Sequence, residues 1–332
     1  MYVTRGHSSV GRASASQAEG RGFESRWPLQ KITSVEAVCK DCFFKGMKSE
    51  MKTVKDGIYV KIGNTNVGVV ETNEAVYIID TGSSVKFAKE LYDELEEVKK
   101  EKIVINTHSH ADHIQGNNIF QKNGSRIFAH ELEIPFIQHP MLESFYLYGA
   151  TPPKSLKASF YKAKSSLAFP FEEFRAPENI KLIPLSGHSL GMTGLKVDDV
   201  IFCGDAYFGS QVLEKYSYPY LVDVKNFLES LKKLEKLDAT VYIPSHGEIS
   251  THPMQDMNKT KKNLYLFIDA VLESVKELKS IEEISFELSE KMDVKLNEGT
   301  FYLFRSFISA IMSHLEKQNE IYQPLFGRWK KR

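Results

Sequence analysis

Thr107-His108-Ser109-His110-Ala111-Asp112-His113 decides how the rest of the chain is read. It directly follows Lys102-Ile103-Val104-Ile105-Asn106, an apolar run that reads as a buried strand. In an extended segment alternate side chains share a side, so His108 and His110 can reach one ion together. A helix beginning near Asp112 would turn Asp112 and His113 toward a second position beside the first. Three of the chain's ten histidines fall within these six residues, too dense a cluster for ordinary surface histidines.

Three further signals follow in order. Gly187-His188-Ser189 comes after the apolar run Ile180–Leu185, Cys203-Gly204-Asp205 closes the run Val200–Cys203, and Ser245-His246-Gly247 closes Thr240–Ile243. Each is a ligand-type residue beside a glycine at a strand end, where a loop displays functional groups on a rigid scaffold. Any one of them alone reads as structural. Together with the histidine cluster they read as a metal site.

Working outward, Ile58–Ile62, Val67–Val70 and Ala75–Ile79 are β-branched runs separated by Gly-Asn-Thr-Asn and Thr-Asn-Glu turns, the pattern of a meander. A helix is expected over Ser83–Lys99, capped by Ser83 or Ser84, with Val85, Ala88, Leu91 and Leu95 at helical spacing. Leu195–Val197 is a further strand, and Val224, Phe227, Leu228, Leu231 and Leu234 mark an amphipathic helix. Strands and helices without strict alternation predict an α+β fold of sheets packed face to face, with helices outside. After Pro253 the texture becomes helical: one long helix through Leu264–Leu278, others around Ile281–Met292 and Glu298–Glu316, then a closing strand or hairpin over Ile321–Trp329.

The ordered set His-x-His-x-Asp-His, His188, Asp205 and His246, preceded by Ile79-Asp80-Thr81-Gly82, resembles the metallo-β-lactamase superfamily from about Asp80 through His246. The resemblance implies an αββα sandwich with a metal site at one edge of the two sheets, to which the helical texture after Pro253 adds a small α-rich C-terminal domain. It implies that His108, His110 and His188 hold one divalent ion, that Asp112, His113 and His246 hold a second, and that Asp205 bridges them. Asp112 and Asp205 are thus the expected catalytic carboxylates, and Asp80 a supporting residue that orients a ligand. Two ions bridged by one oxygen would lower that water's pKa to about neutrality, giving a hydroxide to attack an electrophilic carbonyl or phosphorus. The nitrogen and oxygen donors suit zinc first, with iron and manganese also accepted.

The chain departs from several branches of that family. Asp205 stands where antibiotic-hydrolysing members commonly carry cysteine, and no secretory signal is legible, so β-lactam hydrolysis is not expected. His110 stands where flavodiiron relatives carry glutamate. The glyoxalase II type shares all seven ligand positions, but Ala206-Tyr207-Phe208-Gly209-Ser210 replaces its glycine- and arginine-rich stretch. Hydrolysis of a small thioester, ester or lactone is the leading expectation, without glutathione as the assured carrier. The alternatives are a mononuclear iron dioxygenase of the persulfide type, a nucleic-acid phosphodiesterase and a catalytically dead binding module.

Domain boundaries follow from composition. Residues 1–46, rich in Ser, Gly, Ala and Arg, resemble the conceptual translation of a transfer-RNA gene and are expected to be a disordered leader or a misassigned start, with Met47 or Met51 as the first true residue. Cys39 and Cys42 there lack a second ligand pair and are read as chance. Residues 51–253 form the expected catalytic domain. Within it, 139–176 is an insertion carrying Phe145, Tyr146, Tyr148, Phe160, Tyr161, Phe169, Phe171 and Phe174, read either as a lid over an apolar substrate or as a small core or dimer contact. Residues 258–332 resemble the winged-helix tail of some relatives, but eight basic and eight acidic residues from Ile281 onward leave no stripe of one sign for nucleic acid. His130, His139, His252 and His314 have no partner motif and are read as structural or surface residues.

Charge and size set the remaining limits. In 332 residues, 43 Lys and Arg balance 43 Asp and Glu, which argues against bulk electrostatic attraction to nucleic acid or to an anionic membrane. No apolar run approaches the roughly 20 residues of a membrane span. Three cysteines form no disulfide framework, so a cytoplasmic protein acting on a small molecule, with a homodimer as one role for the tail, is expected.

Overall fold

The β-branched runs form strands because each has an apolar surface on both sides. In the computed structural model, which describes residues 51–154 and 163–332, the strands build two facing sheets. The seven-stranded sheet follows chain order: β1 (Lys52–Lys55), β2 (Ile58–Lys61), β3 (Val67–Glu71), β4 (Ala75–Ile79), β5 (Glu101–Ile105), β6 (Arg126–Ala129) and β7 (Phe169–Pro170). The three expected meander strands β2, β3 and β4 pair antiparallel, β1 adds a fourth antiparallel strand at the edge, and β4 through β7 pair parallel. The four-stranded sheet is β8 (Ile180–Pro184), β9 (Thr193–Val197), β10 (Val200–Gly204) and β11 (Val241–Pro244), in the order β11-β10-β9-β8.

Alternation along single strands shows the layering. On β4, Tyr77 and Ile79 point into the space between the sheets, with Ile105 and Phe128 of the same sheet and Leu195, Val197, Phe202 and Ile243 of the other. Val76 and Ile78 point the opposite way, onto helices α1 (Val85–Leu95), α2 (Ala111–Ile114) and α3 (Asn117–Lys122), where Leu91, Leu95, Ile114 and Phe120 cover them. On β10, Phe202 joins the inter-sheet core while Ile201 and Cys203 face helices on the far side. Both faces are buried along β2, β3, β4 and β10, so these strands read as nearly continuous apolar runs. The architecture is the expected αββα sandwich, an α+β fold with a helical C-terminal region.

Helix α1 is shorter than the spacing predicted. Ser84 caps it by accepting from the Phe87 N–H, but the helix ends at Leu95 and a turn follows that still buries Val98 in the same core. The stretch between β6 and β7 holds α4 (Ile134–Gln138) and α5 (Met141–Tyr148). The aromatics of the expected insertion divide three ways: Phe169, Phe171 and Phe174 pack on the inter-sheet core, Tyr146 faces Phe136, and Tyr148 meets Tyr302 edge-on. Phe160 and Tyr161, like residues 1–46 with Cys39 and Cys42, lie outside the described residues.

Helices α6 (Ser210–Tyr216) and α7 (Val224–Glu235) follow β10 and precede β11. Beyond them, α8 (Met254–Ser274) begins ten residues before the expected stretch, because Met257 and Thr260 extend its buried face. Then come β12 (Lys279–Ser280), α9 (Ile281–Lys291), α10 (Thr300–Lys317) and the hairpin β13 (Ile321–Leu325) and β14 (Arg328–Lys331), whose strands form a third sheet with β12. One hydrophobic cluster runs from Ile201 and Cys203 through Phe227 and Leu231 to Phe267, Phe304 and Phe307, so these helices share a core with the four-stranded sheet. No helix among the described residues is long and apolar enough to cross a membrane.

Candidate metal centre

The ligand-type residues converge at one edge of the sandwich because each follows a strand that points there. The loop after β5 carries His108 and His110, and α2 begins at Ala111, which turns Asp112 and His113 into the site. His188 sits between β8 and β9, Asp205 follows β10, and His246 follows β11. Glycine is required at two of these exits. Gly187 has φ +132°, and a Cβ there would meet the Phe227 backbone nitrogen at 2.3 Å; Gly204 has φ +56° and turns the chain so that Asp205 faces inward.

Three groups form whose donor atoms all lie within 4.8 Å of one another: His108, His110 and His188; His108, His113 and Asp205; and Asp112, His113 and His246. The first and third are the sets expected for two ions. Asp205 lies between them, with Oδ1 3.5 Å from His113 Nε2 and Oδ2 3.4 Å from both His188 Nε2 and His246 Nε2. Asp112 Oδ2 is 3.1 Å from His246 Nε2.

The imidazoles are oriented from behind. His113 Nδ1 donates to Asp80 Oδ2 at 2.8 Å, His188 Nδ1 to the Tyr220 carbonyl at 2.9 Å, and His246 Nδ1 to the Asn64 carbonyl at 2.7 Å. His108 Nδ1 lies 3.1 Å from Thr107 Oγ1, whose proton goes to Asp80 Oδ2 at 2.7 Å. In these four rings the Nε2 lone pair is therefore left facing the centre. His110 is the exception: its Nδ1 faces His108 Nε2 at 3.1 Å and His188 Nε2 at 2.9 Å. Asp80, expected to orient a ligand, does so in a backbone conformation uncommon for a non-glycine residue, φ 61°.

Two buried atoms, His113 Nε2 and Asp205 Oδ1, have no hydrogen-bond partner among the described residues. Buried polar atoms are rarely left so. Inward lone pairs on five imidazoles, two carboxylates among them and two unpartnered donor atoms are a donor set that fits divalent cations.

The electrostatics agree. Burial alone would raise the Asp112 and Asp205 carboxyls, but the adjacent histidines outweigh it and hold both below the usual carboxylate range. Burial alone would lower His246, but Asp205 and Asp112 push it up to about 9, and His113 is raised for the same reason. His188, where burial dominates, is pushed down to about 3, and His108 is also well below its ordinary value. Without a metal, the carboxylates draw positive charge to the centre as protons on imidazole.

Several supporting residues were not legible in the sequence. Glu133, just before α4, is buried and accepts four hydrogen bonds: from Ser109 N–H (3.0 Å) and Oγ (2.5 Å) in the first histidine loop, and from Ser189 Oγ (2.8 Å) and Gly191 N–H (2.7 Å) in the His188 loop. One carboxylate thus ties the two sheets' loops together. Asn106 and Asn117 bond each other side chain to side chain beneath α2, and Asn66 Nδ2 donates to the Pro244 and Gly247 carbonyls on either side of His246. These are solitary polar residues whose partners are 11 to 181 positions away, so no local pattern announces them.

With this geometry in place, the likeness to known proteins is decisive. The sequence profile of the metallo-beta-lactamase superfamily matches residues 60–246, more than half of the chain and all seven ligand positions. The chain belongs to the metallo-beta-lactamase superfamily. Among curated relatives, a probable metallo-hydrolase of Methanocaldococcus jannaschii is 29% identical over 150 residues, 44% of this chain and 57% of that protein. A hydroxyacylglutathione hydrolase of Shewanella denitrificans is 30% identical over 109 residues, 32% of this chain and 33% of that protein. The matches therefore span between a third and somewhat over half of those proteins' lengths. Among solved structures, a metallo-beta-lactamase family protein of Thermus thermophilus superposes with a TM-score of 0.65 at 19% identity, covering 84% of this chain and 100% of the other. A beta-lactamase domain protein of Burkholderia ambifaria gives 0.60 at 16% identity, covering 85% and 93%. These two extend the shared fold beyond the sandwich into the C-terminal region.

Proposed function

We propose that this member of the superfamily is a metal-dependent hydrolase with two divalent cations, acting on a small thioester, ester or lactone. The observation that carries this reading is the position of Asp205, within 3.5 Å of histidines from both outer ligand groups. His108, His110 and His188 would hold one cation and Asp112, His113 and His246 the other, with Asp205 shared. Zinc suits the donors best. When bound, such cations supply Lewis acidity toward a carbonyl oxygen and acidify water.

The chain's own residues supply the remaining parts. Asp80, Thr107 and the Tyr220 and Asn64 carbonyls hold imidazole protons on Nδ1, so that Nε2 is the ring atom turned toward the cations. Asp205, whose side chain is only 4% exposed, lies between the two groups and fixes their spacing, whereas Asp112 is 29% exposed and is held ionised by the adjacent histidines, so that it serves as a carboxylate donor on the solvent side of the site. The metallo-hydrolase and hydroxyacylglutathione hydrolase relatives support hydrolysis and thioester chemistry respectively.

The test is elemental analysis of metal per chain on protein purified without added metal, followed by a thioester, lactone and phosphodiester panel. About two zinc ions per chain with turnover of a thioester, ester or lactone is the expected result. One iron and little zinc would transfer the site to dioxygenase chemistry, and turnover confined to phosphodiesters would transfer it to nucleic acid.

A further inference from the structure

Beside His110 a cleft opens between the two ligand loops and α5. Its walls are Leu132, Phe136, Tyr146, Leu190 and Tyr220, with Glu143 projecting from α5. Leu132, Tyr146 and Leu190 are exposed at its rim, although large apolar side chains gathered at one mouth are costly to leave in water unless something covers them. Tyr220 lies 5.7 Å from the His110 ring, centroid to centroid, and Tyr146 stands edge-on to Phe136 at 6.4 Å. The cleft is therefore continuous with the metal centre and has aromatic walls.

Its charge is one-sided. Among the described residues that line it there is no lysine and no arginine. It holds two carboxyls. Glu133 is committed to four hydrogen bonds within the protein, whereas none of the described hydrogen bonds or ion pairs involves the Glu143 side chain. Burial first, and then the negative charges of Asp112 and Glu133, push the Glu143 carboxyl up to about 8. A ligand carboxylate placed against these walls would lose water and find no cationic side chain in exchange.

We propose that this cleft receives the non-reacting part of the substrate, and that it selects an uncharged apolar or aromatic group against an anionic one, with Glu143 as the residue that sets the discrimination. The proposal rests on the hydrolase reading for its position next to the reacting bond. It goes beyond that reading in stating that carriers or acyl groups bearing carboxylates are poor substrates.

The experiment uses the metal-loaded full chain at pH 9, where the Glu143 carboxyl is ionised, and matched thioesters in which one half at a time changes from neutral to anionic: butyryl against succinyl on N-acetylcysteamine, and N-acetylcysteamine against glutathione with butyryl. An anionic group on at least one half is expected to lower kcat/KM about tenfold or more. On that same half Glu143→Lys should reverse the preference, and the isosteric Glu143→Gln, which changes shape least, should reduce it. Equal or faster turnover of both anionic substrates, or a preference unmoved by both variants, overturns the proposal. If no thioester, ester or lactone is turned over, the hydrolase reading fails separately. Calorimetric binding of a neutral N-alkyl amide against its carboxylate-bearing counterpart then decides the selectivity of the cleft, with equal affinity or tighter binding of the anion counting against it.

Discussion

The two sheets contribute to the metal centre in different ways. The seven-stranded half presents four ligand-type residues from a single six-residue stretch, His108 to His113, and steadies them with side chains: Asp80, Thr107, and the Asn106–Asn117 pair. The four-stranded half presents three, His188, Asp205 and His246, from three separate loops. Two of these are steadied by main-chain carbonyls, Tyr220 for His188 and Asn64 for His246. The first half is a local motif whose precision comes from polar side chains; the second is an assembly whose precision comes from strand register and glycine turns. Asp205 and Glu133 join the halves, and each fails differently when changed.

Asp205→Ala should break the comparison most severely, since it removes the carboxylate common to both groups. Turnover is expected to fall about a thousandfold or more, and metal content from two ions toward one per chain. Steady-state kinetics with elemental analysis checks both, and full activity would refute the shared role of Asp205.

Glu133→Ala strikes the second joint. Two buried N–H groups, on Ser109 and Gly191, would lose their acceptor, at about 1–3 kcal/mol each. A destabilisation of about 3 kcal/mol in denaturant titration is expected, with Glu133→Gln retaining part of it. A change confined to one loop in amide exchange would show that Glu133 does not couple the two.

Asp80→Asn tests the seven-stranded half alone. With the proton-accepting oxygen lost to His113 or Thr107, metal affinity should fall about 10- to 100-fold in chelator competition while the fold persists. An unchanged affinity would mean that His113 is oriented without Asp80.

Removing the metal should make stability depend on pH from both sides. His246, raised to about 9 from 6.5, contributes stability that is fully present below pH 6.5 and is lost as pH rises through 9. His188, lowered to about 3 from 6.5, works oppositely: the unfolded chain takes up the proton first, so stability declines as pH falls from 6.5 toward 3. The melting temperature of metal-free protein should therefore peak near neutrality, and the peak should shift once metal holds these imidazoles neutral. A flat profile would remove the electrostatic account of the four-stranded half.

The smallest effect is expected in the C-terminal region. Tyr302 of α10 meets Tyr148 of α5 at 5.3 Å between ring centroids and packs on Leu147, so Tyr302→Ala should cost about 1 kcal/mol and leave metal content unchanged. Loss of metal in that variant would show that α10 supports the centre through α5, and would sharpen the division between the two halves into three parts.

How much was legible follows the same division. The His108–His113 stretch is visible because one strand exit and one helix start place its members together, so sequence spacing is nearly spatial spacing. His188, Asp205 and His246 could be read only as a set, each at a strand end beside glycine, and in combination with the first cluster. The core strands were legible because burial on both faces leaves an uninterrupted β-branched run, as in β4. The short β6 and the helices α4 and α5 were not, since four to eight residues show too little periodicity.

By itself the sequence determined the ligand types, their order along the chain and the strands that deliver them, because these depend on side-chain chemistry and local periodicity. The tertiary structure alone decided that Asp205 stands between two groups, that Glu133 spans two loops, and that an apolar cleft carrying Glu143 adjoins His110. Each of these relations joins residues tens of positions apart, and their distances are set by the packing of one sheet on the other rather than by any local preference of the chain.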